Sequence, residues 1–229
     1  MNTTPEPCLL NAPGCLKFQP CARTLLTSLC SIMLSVGLTG CSFLKPAQAT
    51  ARYYVLTPVT ATQSGPNSPA LGLGQVKLPA YLFNTSLAVR RGTNEIDYLP
   101  SALWAERLDT GFQRVLAADL AIVVPTDQVR LSAWRKDDVA AEVYVTVEQF
   151  DVDAGGQGVL TARWRILSPG GEKTLKAGES RLARKGLVPV DNASGGVATL
   201  SELVAELSRQ LAQALKETSL VSHNGTSQL

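Results

Sequence analysis

Sulfur and imidazole are nearly missing from most of this sequence. All five cysteines, Cys8, Cys15, Cys21, Cys30 and Cys41, fall within the first 41 residues, and none follows. From residue 42 onward no disulfide, thiolate zinc site or cysteine nucleophile can be built. The single histidine, His223, lies in the polar run Ser222-His223-Asn224-Gly225-Thr226 near the C-terminus. A Ser-His-Asp triad or an H-E-x-x-H zinc site needs imidazole inside the fold, so neither a catalytic residue nor a metal site is expected. Charge of one sign is also lacking, with 21 Lys and Arg against 19 Asp and Glu. That balance argues against nucleic acid as a partner. No apolar run reaches the ~20 residues that a transmembrane helix requires.

What the chain does have is a globular composition, 45% apolar and 17% charged, behind a leader. Lys17 and Arg23 precede an uncharged stretch from Thr24 to Leu38, the shape of a secretory signal over residues 1–40. The n-region is long and holds Pro5, Pro7 and Pro13, as a start codon assigned too far upstream would make it. The stretch ends in Leu38-Thr39-Gly40-Cys41, which resembles the bacterial lipobox. There the cysteine thiol takes a diacylglycerol, the peptide bond before it is cut, and the new N-terminus is acylated. Cys41 is therefore the expected lipid attachment site, and no other cofactor is expected. Ser42 is the expected sorting residue, because an Asp at that place tends to retain lipoproteins at the inner membrane. Residues 41–51 read as a lipidated tether, 52–217 as one domain and 218–229 as a disordered polar tail.

Within the domain, Tyr53–Leu56, Leu73–Leu78, Ser86–Arg91 and Glu95–Leu99 read as strands, separated by turn-forming residues such as Pro58, Pro79 and Gly92. Val59 to Ala70, rich in Thr, Ser, Gly, Pro and Asn, reads as a surface loop. A first amphipathic helix is predicted from an N-cap at Ser101, with Leu103, Trp104, Leu108, Phe112, Val115, Leu116 and Leu120 at helical spacing. Ala121–Val124 is apolar enough for a short buried strand. Val143, Val145 and Val147 alternate with Glu142, Thr146 and Glu148. Leu160, Ala162, Trp164 and Ile166 alternate with Thr161, Arg163 and Arg165. These predict a hairpin with one buried and one wet face, extended by a strand over Thr174–Arg184. The last helix carries Val197, Leu200, Leu203, Val204, Leu207, Leu211 and Leu215 on one stripe, with Thr199–Glu202 as a capping box and an earlier start allowed by Gly195-Gly196. The expected fold is α/β with α+β character: one layered domain, a mixed, largely antiparallel sheet and two main helices.

Three motifs fail on inspection. Gly170-Gly171-Glu172-Lys173-Thr174 lacks the glycine a phosphate loop needs before its lysine. Gly72-Leu73-Gly74 precedes a strand and lacks the third glycine of a dinucleotide site. Asp151-Val152-Asp153-Ala154-Gly155-Gly156 lacks two calcium ligands and reads as a hairpin turn. Trp104 and Trp164 fit core positions. Arg163 and Arg165, with Arg135, Lys136, Arg181, Arg184 and Lys185, can form a cationic surface. Any hydrolase here would have to run on carboxylates such as Asp97 with Glu106, or Asp137 with Asp138.

Several segments, taken in order, carry a likeness. Cys41 is followed by Tyr53-Tyr54-Val55-Leu56, then by Val76-Lys77-Leu78-Pro79-Ala80-Tyr81-Leu82. Leu87-Ala88-Val89-Arg90, Ile96-Asp97-Tyr98 and Trp104-Ala105-Glu106-Arg107-Leu108 come next. Phe150, Leu160–Trp164 and the leucine-rich final helix complete the pattern, which resembles the ABC-type transport auxiliary lipoprotein family. The resemblance implies a non-enzymatic lipoprotein on the periplasmic face of the outer membrane. Its implied partner is the MCE-domain protein of an ABC-type lipid transporter, with self-assembly into a homo-oligomer left open. The expected partner-contact residues are Arg107 and Arg114 on the first helix and Arg163 and Arg165 on the wet strand face. A lipoprotein carrying lipid in its own cavity is the alternative.

Overall fold

A computed structural model describes residues 50–59, 70–124, 128–131 and 133–225. The leader, Cys41, Ser42 and most of the tether lie outside the described residues. The elements run β1 (Arg52–Tyr54), β2 (Leu71–Leu73), β3 (Ser86–Arg90), β4 (Ile96–Trp104), α1 (Leu108–Val123), β5 (Val129–Leu131), β6 (Ala141–Asp153), β7 (Gln157–Leu167), β8 (Thr174–Lys185) and α2 (Ala193–Gly225). Short 3-10 turns fill Ala80–Phe83 and Lys136–Asp138. The protein is thus a mixed α+β fold with eight strands in one sheet.

The long antiparallel ribbon β6–β7–β8 is the backbone of that sheet. The other edge of β6 is shared. Its first residues pair in parallel with β2, which in turn pairs with β5, while its last two pair in parallel with β3. Beyond β3 come β4, antiparallel, and β1, parallel to β4. Both helices cover the face that carries Leu160, Ala162, Trp164 and Ile166, and all seven apolar stripe residues of α2 are buried. Phe112 of α1 meets Phe150 of β6 edge-to-face, with ring centroids 5.0 Å apart. Trp104 and Trp164 both sit in the core, Trp164 on the strand alternation that predicts it and Trp104 at the end of β4 instead of on a helix.

Five local expectations are corrected. The helix predicted from Ser101 begins at Leu108, because Pro100 through Trp104 finish β4. Proline is tolerated there since the β3–β4 register jumps from Leu87↔Leu99 to Ser86↔Leu103, leaving a bulge with no ladder bond for Pro100 to donate. Ala121–Val123 continue α1 instead of forming a strand, with Val124 as C-cap. The strand expected over Leu73–Leu78 stops at Leu73, and only Lys77 makes a later bridge, to Thr146. The last helix starts at Ala193, where Asn192 Oδ1 accepts the Gly195 N–H as an N-cap at 2.8 Å. Thr199, predicted to cap it, instead bonds back to the Gly195 carbonyl from inside the helix. That helix runs to Gly225, so residues 218–225, expected as a disordered tail, are helical.

Candidate docking surfaces and the polar clusters beside them

The four arginines expected to meet a partner are split between two places. Arg163 and Arg165 stand on β7 with side chains away from the helices. They share that face with Thr146 and Glu148 of β6 and with Glu179 and Arg181 of β8, all exposed. Arg163 pairs with Glu148 at 2.5 Å and Arg181 with Glu179 at 2.5 Å. Arg165 makes no ion pair among the described residues and stands opposite Tyr144 in the ladder. Its charge is therefore not balanced by a carboxylate among the described residues.

Arg107 precedes α1 and Arg114 lies within it. Arg107, the N-cap, grips Asp109 through two bonds of 2.7 and 3.1 Å. That grip holds the Asp109 carboxyl below its ordinary range and the Arg107 guanidinium above its own. The same guanidinium lies 5.7 Å from the ring centre of exposed Phe83. Arg114 pairs with Glu106 and donates to the Leu56 carbonyl at 3.0 Å. It therefore ties the chain after β1 to α1, while its side chain stays 44% exposed. Three further cations are engaged. Lys136 pairs with Glu172, while Arg184 and Lys176 pair with Glu202 and Glu217 of α2.

Of the carboxylate pairs considered for hydrolysis, Asp97 and Glu106 are too far apart to form a dyad. Asp97 pairs with Arg91 near the start of β4, whereas Glu106 follows its end, roughly 25–30 Å away at strand rise. Glycosidic acid–base pairs sit within about 10 Å. Asp138 accepts the Arg135 N–H and faces Arg130, as part of a local turn.

Two polar clusters went unforeseen. In the first, Asp151 of β6 is buried, and its carboxylate accepts Arg90 Nη2 at 2.6 Å, Arg90 Nε at 3.1 Å, Tyr81 Oη at 2.8 Å and Gln149 Nε2 at 3.0 Å. Tyr81 Oη also accepts the Phe150 N–H, and Tyr98 Oη donates to the Tyr81 carbonyl. Burial and the adjacent carboxylate push the Tyr81 hydroxyl up to about 12, so it stays protonated and donating. Pro79, whose carbonyl accepts the Leu82 N–H, opens the 3-10 turn that delivers Tyr81. In the second cluster Glu142, expected on the wet face, is 4% exposed. It accepts from Trp134 Nε1, Tyr144 Oη and the Gly170 N–H at 2.9–3.0 Å. The rings of Trp134 and Tyr144 lie on Gly72 and Gly74 and cover that end of the sheet. The glycine motifs rejected above thus become packing seats and turns: Gly156, Gly170 and Gly171 adopt positive φ in hairpin loops.

Residues 54–212 match the family model described as ABC-type transport auxiliary lipoprotein component. The chain belongs to this family. The auxiliary-lipoprotein fold recurs in the crystal structure of protein XCC0632 from Xanthomonas campestris, 13% identical, with a TM-score of 0.59 over 76% of this chain and 99% of that one. A second crystal structure, of an uncharacterized protein, is 22% identical, with a TM-score of 0.60 over 72% of this chain and 99% of its own. At such identities the likeness is one of fold alone. A search of curated proteins returns no match. Three of the residues on which the sequence resemblance rests lie together: Tyr81 and Arg90 contact Asp151, and Tyr98 donates to the Tyr81 carbonyl.

Proposed function

We propose that this auxiliary lipoprotein is a non-catalytic subunit that docks an MCE-type ABC lipid-transport assembly at the periplasmic face of the outer membrane. The observation that carries the reading is the family match over residues 54–212 behind the Leu38-Thr39-Gly40-Cys41 motif. Diacylglycerol and an N-acyl chain at Cys41 would anchor it, since each buried CH₂ contributes ~0.8 kcal/mol. The ten residues from Ser42 to Ala51 span at most ~36 Å, so the domain stays beneath its own membrane and the transporter's MCE protein must reach it. The wet face of β6, β7 and β8 is the docking surface, centred on Arg165. Its charges set encounter rate and specificity more than affinity. Arg107 and Arg114 are secondary, because both are already held by neighbours.

Two measurements test this. Mass spectrometry of the mature protein should find the acyl groups on Cys41, and an unmodified Cys41 overturns the anchor. Photo-crosslinkers at Arg163 and Arg165 in living cells should trap an MCE-domain protein. Failure at both positions, with the protein folded and exported, overturns the docking face.

A further inference from the structure

Strand β8 is the outer edge of the long ribbon. It pairs with β7 along its whole length, Thr174 to Lys185, and its other side has no strand among the described residues. A twelve-residue open edge is a template for another strand unless charge or shape blocks it. Lysine and arginine side chains ordinarily do the blocking. Here three of the four are engaged off the strand: Lys176 pairs with Glu217 of α2, Arg184 with Glu202 of α2, and Lys185 donates to the Gly155 carbonyl, while the fourth, Arg181, pairs with Glu179 of its own strand.

From this we infer that β8 joins β8 of a second copy, antiparallel, about a two-fold axis through Ser180. The proposal concerns self-association and goes beyond the docking of a transporter. The sequence of the strand is self-complementary in that register. Glu179 of one copy falls opposite Arg181 of the other, twice by symmetry, on the same face where Glu179 and Arg181 already attract each other. Exposed Ala177 falls opposite Ala183, two small residues that let the strands close. On the helix face, Leu182 falls opposite Gly178. Beside Gly178 is a groove of about 340 Å³ between β8 and α2, lined by Trp164, Gly178, Gln210, Gln213 and Ala214 among others. Any side chain at 178 would strike the Trp164 ring, with a Cβ only 2.4 Å from it, so the chain itself leaves that place empty. The leucine of the second copy has room to cover the indole. The one unfavourable juxtaposition is Lys176 opposite Arg184, and each of these is already neutralised by its glutamate on α2. The product is one continuous six-stranded face that presents Arg163 and Arg165 twice.

The register makes a sharp test, because the sequence holds no cysteine after Cys41. The full-length protein carrying Ala177→Cys and Ala183→Cys together is expressed in cells and oxidised mildly. Directly opposed residues have Cα atoms about 4.5–5.5 Å apart, within disulfide reach. Residues 177 and 183 of the same strand are about 20 Å apart. A disulfide-linked dimer is expected from the double variant, and none above the parental level from either single variant. Adding Glu179→Arg should lower the linked fraction about fivefold, and Arg181→Glu on top should restore it. No linked dimer from the folded, exported double variant overturns the proposal. Equal linking by the single variants does so too, since it reports collision without register.

Discussion

Asp151 and Glu148 are three residues apart on one strand, and each pairs with an arginine at 2.5–2.6 Å. Their surroundings differ entirely. The Asp151 side chain is 1% exposed and accepts from four donor atoms of Arg90, Tyr81 and Gln149, whereas Glu148 and Arg163 are open to water. The cause is a β-bulge: Val147 faces Ala162 and Gln149 faces Thr161, so Glu148 is the extra residue. After it, the inward positions change from odd to even, and Phe150 and Val152 enter the core. Asp151 is left on the outer side, where Tyr81 and Arg90 close over it. Identical chemistry is therefore a fastener at one position and a solvated contact at the other, and burial decides which.

Substitutions can break or sharpen that contrast. The largest effect is expected from Asp151→Ala, which strands Arg90 and the Tyr81 hydroxyl and should cost about 3–5 kcal/mol in urea unfolding. An effect near that of an exposed pair would erase the distinction.

Asp119 of α1 is an intermediate case. It is 3% exposed, Oδ1 accepts the Val59 N–H at 3.1 Å, and Oδ2 has no partner among the described residues. Burial raises its carboxyl to about 6, above the ~3.9 of an unfolded chain, against the opposing pull of the Val59 N–H and Arg209. The folded state therefore holds the extra proton, and stability should fall by about 2 kcal/mol as pH rises from ~4 through 6. Unfolding curves at pH 4.5 and 7 should show this slope, and Asp119→Asn should flatten it.

Tyr81→Phe keeps the ring but removes the donor to Asp151 and the acceptor of the Phe150 N–H, so a loss of about 1–2 kcal/mol is expected by thermal melting. Glu148→Ala should change stability by less than ~1 kcal/mol and lose even that in high salt.

The sequence made the ribbon legible because its strands alternate cleanly from Val143 to Val147 and from Leu160 to Ile166. The jump from Val147 to Phe150 and Val152 was a readable sign of the bulge. Glu142 was misplaced because alternation cannot show that Trp134 and the Gly170 N–H fold over it. The start of α1 was misread because Leu103 and Trp104 fit both a helix stripe and the end of a strand, and the partner that settles the matter, β1, is some fifty residues away. The Tyr81–Arg90–Asp151 cluster was invisible for the same reason: Tyr81 and Arg90 lie 70 and 61 positions from Asp151. Of the four arginines proposed for docking, periodicity placed Arg163 and Arg165 correctly on a wet face. It could not show that Arg114 is turned to the Leu56 carbonyl.

The chain from Arg52 to Val59 is fastened to three separate elements. Its β1 residues ladder with β4, Arg114 of α1 holds the Leu56 carbonyl, Ser201 of α2 accepts the Thr57 N–H, and Asp119 of α1 accepts the Val59 N–H. A pull arriving through residue 51 would run along β1, across its ladder bonds, and load them together in shear instead of unzipping them one by one. What passes that ladder reaches both helices at nearly the same point. A pull on the N-terminal end of the domain would thus enter at β1, at the opposite end of the strand order from the open strand β8.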